Sequence, residues 1–222
     1  MKIFVAIPCY DGKLPTETVR SLLDEQIAAI AGGDELRTMF LPGCSLITMA
    51  RNALAQPFLE SDCDRLMFVD ADISWPMGEL VKVAKRKQDV VGGAYRYKRE
   101  KEAYPVGWIK TDNGIWADDG LVEVEFMPTG FLAINKSVLM RLKEADPARN
   151  YSHDGKSQHC WFENPFVDGK FCGEDVWFCH QWRKLGGKVF LDHTVTLTHH
   201  NGPQAFTGNV GDWLQRGEWK NQ

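Results

Sequence analysis

Apolar residues follow two rhythms along this chain: short unbroken runs, and longer stretches in which they return every three or four positions. Ile3 to Ile7 is an unbroken run closed by Pro8 and the turn Asp11-Gly12, the pattern of a strand covered on both faces. From Thr16, the residues Val19, Leu22, Leu23, Ile27 and Ile30 recur at helical spacing until Gly32-Gly33, which predicts a helix and its stop. Leu36 to Leu41 predicts a second strand. After Pro42-Gly43 a second helix turns Ile47, Ala50, Leu54 and Phe58 toward the sheet. Arg65 to Val69 is another unbroken strand-like run, so the chain starts strand, helix, strand, helix, strand, a right-handed doubly wound opening.

The second half is less regular. A third helix is predicted from Pro76 to about Arg86, then a strand at Val90 to Ala94. Residues 104 to 126 read as hairpins around Asp112-Asn113-Gly114 and Asp118-Asp119-Gly120. Gly130 to Ile134 predicts a buried strand, and Asn135 caps a helix through about Lys143. Residues 146 to 172 read as one long loop whose aromatics suit a lid or acceptor wall. A helix follows from Gly173 to Leu185, then short strands at Val189 to Leu191 and Thr194 to Thr198, and a polar tail from Asn209. One domain over 1–222 is expected, with a nucleotide-side half (1–100), an acceptor-side half (101–205) and the tail (206–222).

Composition changes this picture little. With 222 residues and 44% hydrophobic content, the chain can bury a large core without staples. A formal net charge of -4 gives no overall pull toward nucleic acid or anionic membrane. The six cysteines form no CxxC pair and read as free thiols of a reducing compartment. A zinc site from Cys172, Cys179 and His180 is the lesser reading, because that spacing sets the two thiols only roughly on one helix face. The N-terminal run is too short for a signal peptide and no stretch approaches a membrane span, so a cytoplasmic protein is expected.

The candidate chemistry begins at Asp70-Ala71-Asp72. Residues i and i+2 of an extended chain share a side, so Asp70 and Asp72 can converge on one cation or polyol just beyond a strand's carboxyl end, where open α/β sheets bind ligands. A solvated acidic turn has the same spacing. Arg51 and Asn52 lie beside the stripe of the second helix, where a surface arginine is the ordinary outcome. Glu174 and Asp175 occupy a helix's first turn and favour its dipole by a few tenths to about 1 kcal/mol. Tyr95-Arg96-Tyr97-Lys98-Arg99 interleaves bases and aromatics, fit for phosphate or stacking, or for a solvated edge. Trp108, Trp116 and Trp161 are candidate stacking platforms, with core burial the alternative. His199 and His200 are neighbours that face opposite ways on a strand, so one of them at most meets the acids.

With Asp70-Ala71-Asp72, Gly173-Glu174-Asp175 and His200-Asn201-Gly202 in this order, the chain resembles the GT-A glycosyltransferases. It is especially similar to short family-2-like, single-domain enzymes of bacteriophage and bacterial genomes. The resemblance runs from Ile7-Pro8-Cys9-Tyr10 to His200. It implies an α/β fold: a mixed, mostly parallel sheet flanked by helices, with a small antiparallel extension. It implies a metal-dependent transfer of a single sugar from a nucleotide-diphosphate sugar to a hydroxyl acceptor, with Mn²⁺ or Mg²⁺. Asp72 would ligate the ion, Asp70 would lie nearer the ribose or metal waters, and His200 would be the C-terminal ligand. Glu174-Asp175 would be the ED pair, with Asp175 the base of inverting members. Pro8 and Tyr10 would line the nucleotide base, and Arg51 and Asn52 would lie on the donor side. Two departures stand out. Leu41 to Ser45 carries no acid where many members hold the base, and Gln181-Trp182-Arg183 is not the QxxRW of processive synthases, which favours single transfer. The acceptor is expected to be a glycan or other hydroxyl, with DNA less favoured by the acidic balance. The competing readings are a sugar-1-phosphate nucleotidyltransferase, for which Pro8 to Lys13 is a poor phosphate loop, and an inactive nucleotide-sugar-binding module.

Overall fold

The computed structural model describes residues 1–109, 117–153 and 155–217. The turn at 112–114, Trp116 and Trp219 lie outside the described residues. The first strand, β1 (Lys2–Cys9), is buried on both faces, Phe4 and Ala6 to one side and Ile3, Val5 and Ile7 to the other. It is followed by α1 (Thr16–Ala31), β2 (Glu35–Pro42), α2 (Ile47–Glu60) and β3 (Arg65–Val69). A two-residue strand β4 (Ile73–Ser74), α3 (Glu79–Ala84) and β5 (Val90–Gly92) complete the first half. The second half holds β6 (Gly107–Trp108), β7 (Ala117–Asp118), β8 (Leu121–Phe126), β9 (Phe131–Asn135) and α4 (Lys136–Ala145). Two small hairpins come next, β10 (Asn150–His153) with β11 (Lys156–His159) and β12 (Phe166–Val167) with β13 (Lys170–Phe171). The chain continues through α5 (Glu174–Lys184), β14 (Val189–Asp192), β15 (Thr196–Asn201), β16 (Gln204–Asn209) and α6 (Val210–Gln215).

The main sheet runs β2-β1-β3-β9-β5-β14-β8-β6, with β7 beside β8. Strands β2, β1, β3, β5 and β14 share one direction, and β9 is inserted antiparallel between β3 and β5. The antiparallel extension is β6, β7 and β8. Helices α2, α4 and α5 cover one face, burying Leu54, Phe58, Val138, Phe178 and Trp182 against Phe4 and Phe68. Helices α1 and α3 cover the other, with Ala29, Leu80 and Val83 on Val5 and Met67. The mixed α/β architecture is the expected one. A separate antiparallel sheet, β16-β15-β4, lies across the end of β3.

Local patterning misleads at four places. Helix α1 turns its apolar stripe outward: Val19, Leu23, Ile27 and Ile30 are exposed, while Thr18, Ser21 and Glu25 are buried. The buried polar face has partners. Glu25 accepts hydrogen bonds from the Trp75 indole and from the backbone N–H groups of Gly78 and Val81, and Ser21 bonds both backbone groups of Trp75. The helix therefore clamps the segment that follows the acids of β3, and these satisfied polar groups outweigh the stripe. Asn135 occupies the N-cap position of α4 without capping it; its side chain bonds Arg65 and Asp89 instead. The expected long loop at 146–172 carries the two hairpins, and Trp161 is core, its indole donating to the Leu139 carbonyl. Trp213 of the polar tail is buried and stacked on Trp108.

Candidate active site

The carboxyl ends of β1 and β3, the start of α5 and the Tyr95 segment after β5 meet around a cleft of about 620 Å³, a volume suited to a nucleotide-sized ligand. Asp70 leaves β3 with its backbone N–H on the Gly130 carbonyl at 2.9 Å. Gly130 has to be glycine. A Cβ there would stand 2.2 Å from Asp70 Oδ2 and 2.6 Å from the Tyr95 hydroxyl. That closeness lets Tyr95 donate to Asp70 Oδ2 at 2.9 Å while Arg51 Nη2 donates to Asp70 Oδ1 at 2.9 Å.

Arg51 is not the surface residue its helix pattern favours; it is 3% exposed. Its guanidinium lies 5.5 Å from the Phe68 ring centroid and its Nε reaches Glu174 Oε1 at 3.4 Å. Burial alone pulls its pKa down, but the charges of Asp70 and Glu174 push harder and leave it raised. A fixed cation thus joins the acids after β3 to the acids opening α5. Arg51 Nη1 and the Thr129 hydroxyl are buried in the cleft region without partners among the described residues. Asn52 faces elsewhere. Its Oδ1 accepts from the N–H groups of Trp161 and Phe162, each at 2.9 Å, and its Nδ2 donates to the Phe162 carbonyl. It clips that segment to α2 and is not part of the cleft wall, contrary to its expected place on the donor side.

Asp72 stands apart from this network. The pairing of β4 with β15 sets His199 opposite Ile73, and the His200 N–H donates to the Asp72 carbonyl at 2.8 Å. As a result His199 Nε2 lies 3.3 Å from Asp72 Oδ2, which also receives the Lys98 ammonium. Burial pushes the Asp72 pKa up, but the contacts with His199 and Lys98 outweigh it and hold it near the low end, at about 2. His199 Nδ1 is 3.0 Å from the Arg96 carbonyl. A carbonyl only accepts, so Nδ1 carries the hydrogen, and in the neutral ring Nε2 turns its lone pair toward the Asp72 carboxylate. With the ring protonated, Nε2 donates to that carboxylate; with the ring neutral, Nε2 is free to ligate a cation.

The structure brings His199, not His200, to Asp72. His200 is buried with Nε2 2.7 Å from the Ser74 hydroxyl. Alternation along β15 separates the two imidazoles, and the register with β4 decides which one meets the acid.

Asp175 lies at the first turn of α5 with Oδ1 accepting from the Val176 N–H at 2.7 Å. Burial, and then the neighbouring Glu174 charge, raise its pKa above the usual aspartate range. Pro8 lines the cleft, as do Asp11 and Lys13. Tyr10 is 65% exposed and outside the wall. Cys179 is fully buried, its thiol pushed up to about 12 by burial, and among the described residues no three His, Cys, Asp or Glu side chains are grouped to hold a metal. Sequence reasoning offered His199 and His200 as alternatives and the resemblance selected the other one; it missed Tyr95 and Lys98 as partners of the acids, whose signal was the basic and aromatic run at 95–99.

No protein-family model matches this chain, and no curated protein matches it in sequence. Solved structures do. One is GalNAc-T7 with UDP, GalNAc and Mn²⁺, at a TM-score of 0.50 and 14% identity over 90% of this chain and 44% of that one. Another is the catalytic domain of Drosophila beta1,4galactosyltransferase 7 in complex with xylobiose, at a TM-score of 0.54 and 14% identity over 90% of this chain and 71% of that one. This chain spans less than half the length of the first. Among the described residues no helix is long and apolar enough to cross a membrane.

Proposed function

We propose that this chain, which has the GT-A fold, transfers a single sugar from a nucleoside-diphosphate sugar to a hydroxyl of a glycan or other acceptor, with inversion. One observation carries the reading: two acid sets with different surroundings share one cleft. Asp72 is held ionised beside the His199 imidazole and the Lys98 ammonium, while Asp175, buried beside Glu174, has a raised pKa. The first suits a cation and the second suits a proton acceptor.

Asp72 and His199 fit a divalent ion such as Mn²⁺ or Mg²⁺, with the Arg96 carbonyl orienting the ring as metal-bound histidines are commonly oriented. Two protein ligands would leave room on such an ion for the donor's diphosphate and water, as is usual for Mg²⁺-type sites. Bound there, the ion would offset the negative charge gathering on the departing diphosphate. Asp70 is oriented by Arg51 and Tyr95 toward the donor's sugar or ribose hydroxyls. Pro8 lies on the nucleotide side. As the bond from the anomeric carbon to the diphosphate breaks, the acceptor oxygen attacks from the opposite side and Asp175 takes its proton. Glu174 stays paired with Arg51 and keeps α5 in register with the acids of β3.

A panel of nucleoside-diphosphate sugars, each with Mn²⁺, tests this by thermal stabilisation and by release of the nucleoside diphosphate. Stabilisation by one donor family, with diphosphate released only when an acceptor or water is available, is the expected result. Release of pyrophosphate from a nucleoside triphosphate and a sugar 1-phosphate would instead make the chain a nucleotidyltransferase.

A further inference from the structure

The cation that faces Asp72 in this structure belongs to the protein. Lys98 places its ammonium on Asp72 Oδ2, the same oxygen that His199 Nε2 approaches at 3.3 Å. Lys98 sits in a segment without regular structure between β5 and β6, held on itself by the Tyr97 N–H on the Ala103 carbonyl and by Arg96 on the Arg99 and Glu100 carbonyls. The backbone is thereby tethered beside the cleft while the four-carbon side chain stays partly exposed and free to swing. From this geometry we infer that Lys98 is a tethered counter-ion that competes with the divalent ion for Asp72 and, once displaced, moves to the diphosphate of the donor. This rests on the metal-dependent reading above.

The chemistry follows from charge. An ammonium and a divalent ion cannot share one carboxylate oxygen at contact distance without strong repulsion. Before the donor arrives, Lys98 therefore weakens ion binding. The diphosphate brings the negative charge that makes ion and ammonium compatible, and an ammonium next to it forms charge-assisted hydrogen bonds. Ion and donor then bind with positive coupling, each raising the affinity for the other.

The test replaces Lys98 by methionine, which keeps the stem and removes the charge, and measures affinities without turnover. Mn²⁺ alone is followed by water-proton relaxation, and UDP and GDP in saturating Mn²⁺ by calorimetry. Lys98→Met is expected to bind Mn²⁺ alone roughly three- to fivefold more tightly, the range of an exposed ion pair. It should bind the nucleotide about tenfold or more weakly, as expected for losing a charged hydrogen bond. Effects of opposite sign are the signature, since a purely structural change would lower both affinities or neither. If wild type binds Mn²⁺ and nucleotide, Asp72→Asn loses both, and Lys98→Met moves both down or leaves both unchanged, the counter-ion role is refuted and the transferase reading stands. If wild type binds neither, both fail together.

Discussion

Replacing Arg51 by methionine isolates the contact on which the cleft's geometry depends. The guanidinium is buried and engages Asp70 at 2.9 Å and Glu174 at 3.4 Å, side chains that are 23% and 17% exposed. Removing one partner of a fully buried ion pair costs about 3–5 kcal/mol, because the charge left behind is unpaired. Here both carboxylates touch solvent and Asp70 keeps the Tyr95 hydroxyl, which places the expected loss at the low end, about 3 kcal/mol. For a chain of this size each kcal/mol moves Tm by about 2–4 °C, so the variant should melt about 6–12 °C lower. Arg51→Lys should fall between, since an ammonium cannot fork to two carboxylates. In a double-mutant cycle with Asp70→Asn, the two losses should combine to less than their sum by about 1–3 kcal/mol. Thermal and urea melts of the four proteins measure this. A methionine variant within about 2 °C of wild type would refute the view that Arg51 ties the two acid sets together.

Three further outcomes are expected. Asp175→Asn should cut transfer by about 10²- to 10⁴-fold with nucleotide binding retained. The raised Asp175 pKa means the base is lost at higher pH than an ordinary aspartate. In wild type, kcat/KM should therefore begin to fall, as pH is lowered, at a higher pH than an ordinary aspartate base would give. By linkage, a carboxyl whose folded pKa is raised contributes stability below its unfolded pKa and loses it as pH rises through the folded value, so Asp175→Asn should not lower Tm at neutral pH. A lower Tm there would contradict the assigned shift. His199→Ala should weaken Mn²⁺ binding by about tenfold or more, whereas His200→Ala should lower stability by about 1–3 kcal/mol by unpairing Ser74, with Mn²⁺ affinity nearly intact; calorimetry with the reverse order would restore His200 as ligand. Glu25→Ala leaves the Trp75 indole and two backbone N–H groups without their acceptor and should cost about 3 kcal/mol or more in urea melts.

What the sequence determined by itself is local. Unbroken apolar runs marked β1 and β3 and helical spacing marked α2, because each is a property of a few consecutive residues. The same short range placed Asp70 and Asp72 just past a buried strand and Glu174 and Asp175 at a helix start, enough to bring the family resemblance and the α/β class into view. Tertiary structure decided the rest, through contacts between residues far apart in the chain. The register of β15 on β4 chose His199 over His200 for Asp72. The close approach at Gly130 delivered Tyr95 to Asp70, and packing beside Phe68 drew Arg51 inward to Glu174, 123 residues away. Helix α1 buried its polar side because Glu25 found three donors in the Trp75–Val81 segment. None of these is a periodic feature. Each is fixed by which distant hydrogen-bonding group or charge arrives at a side chain, and only the folded chain specifies that.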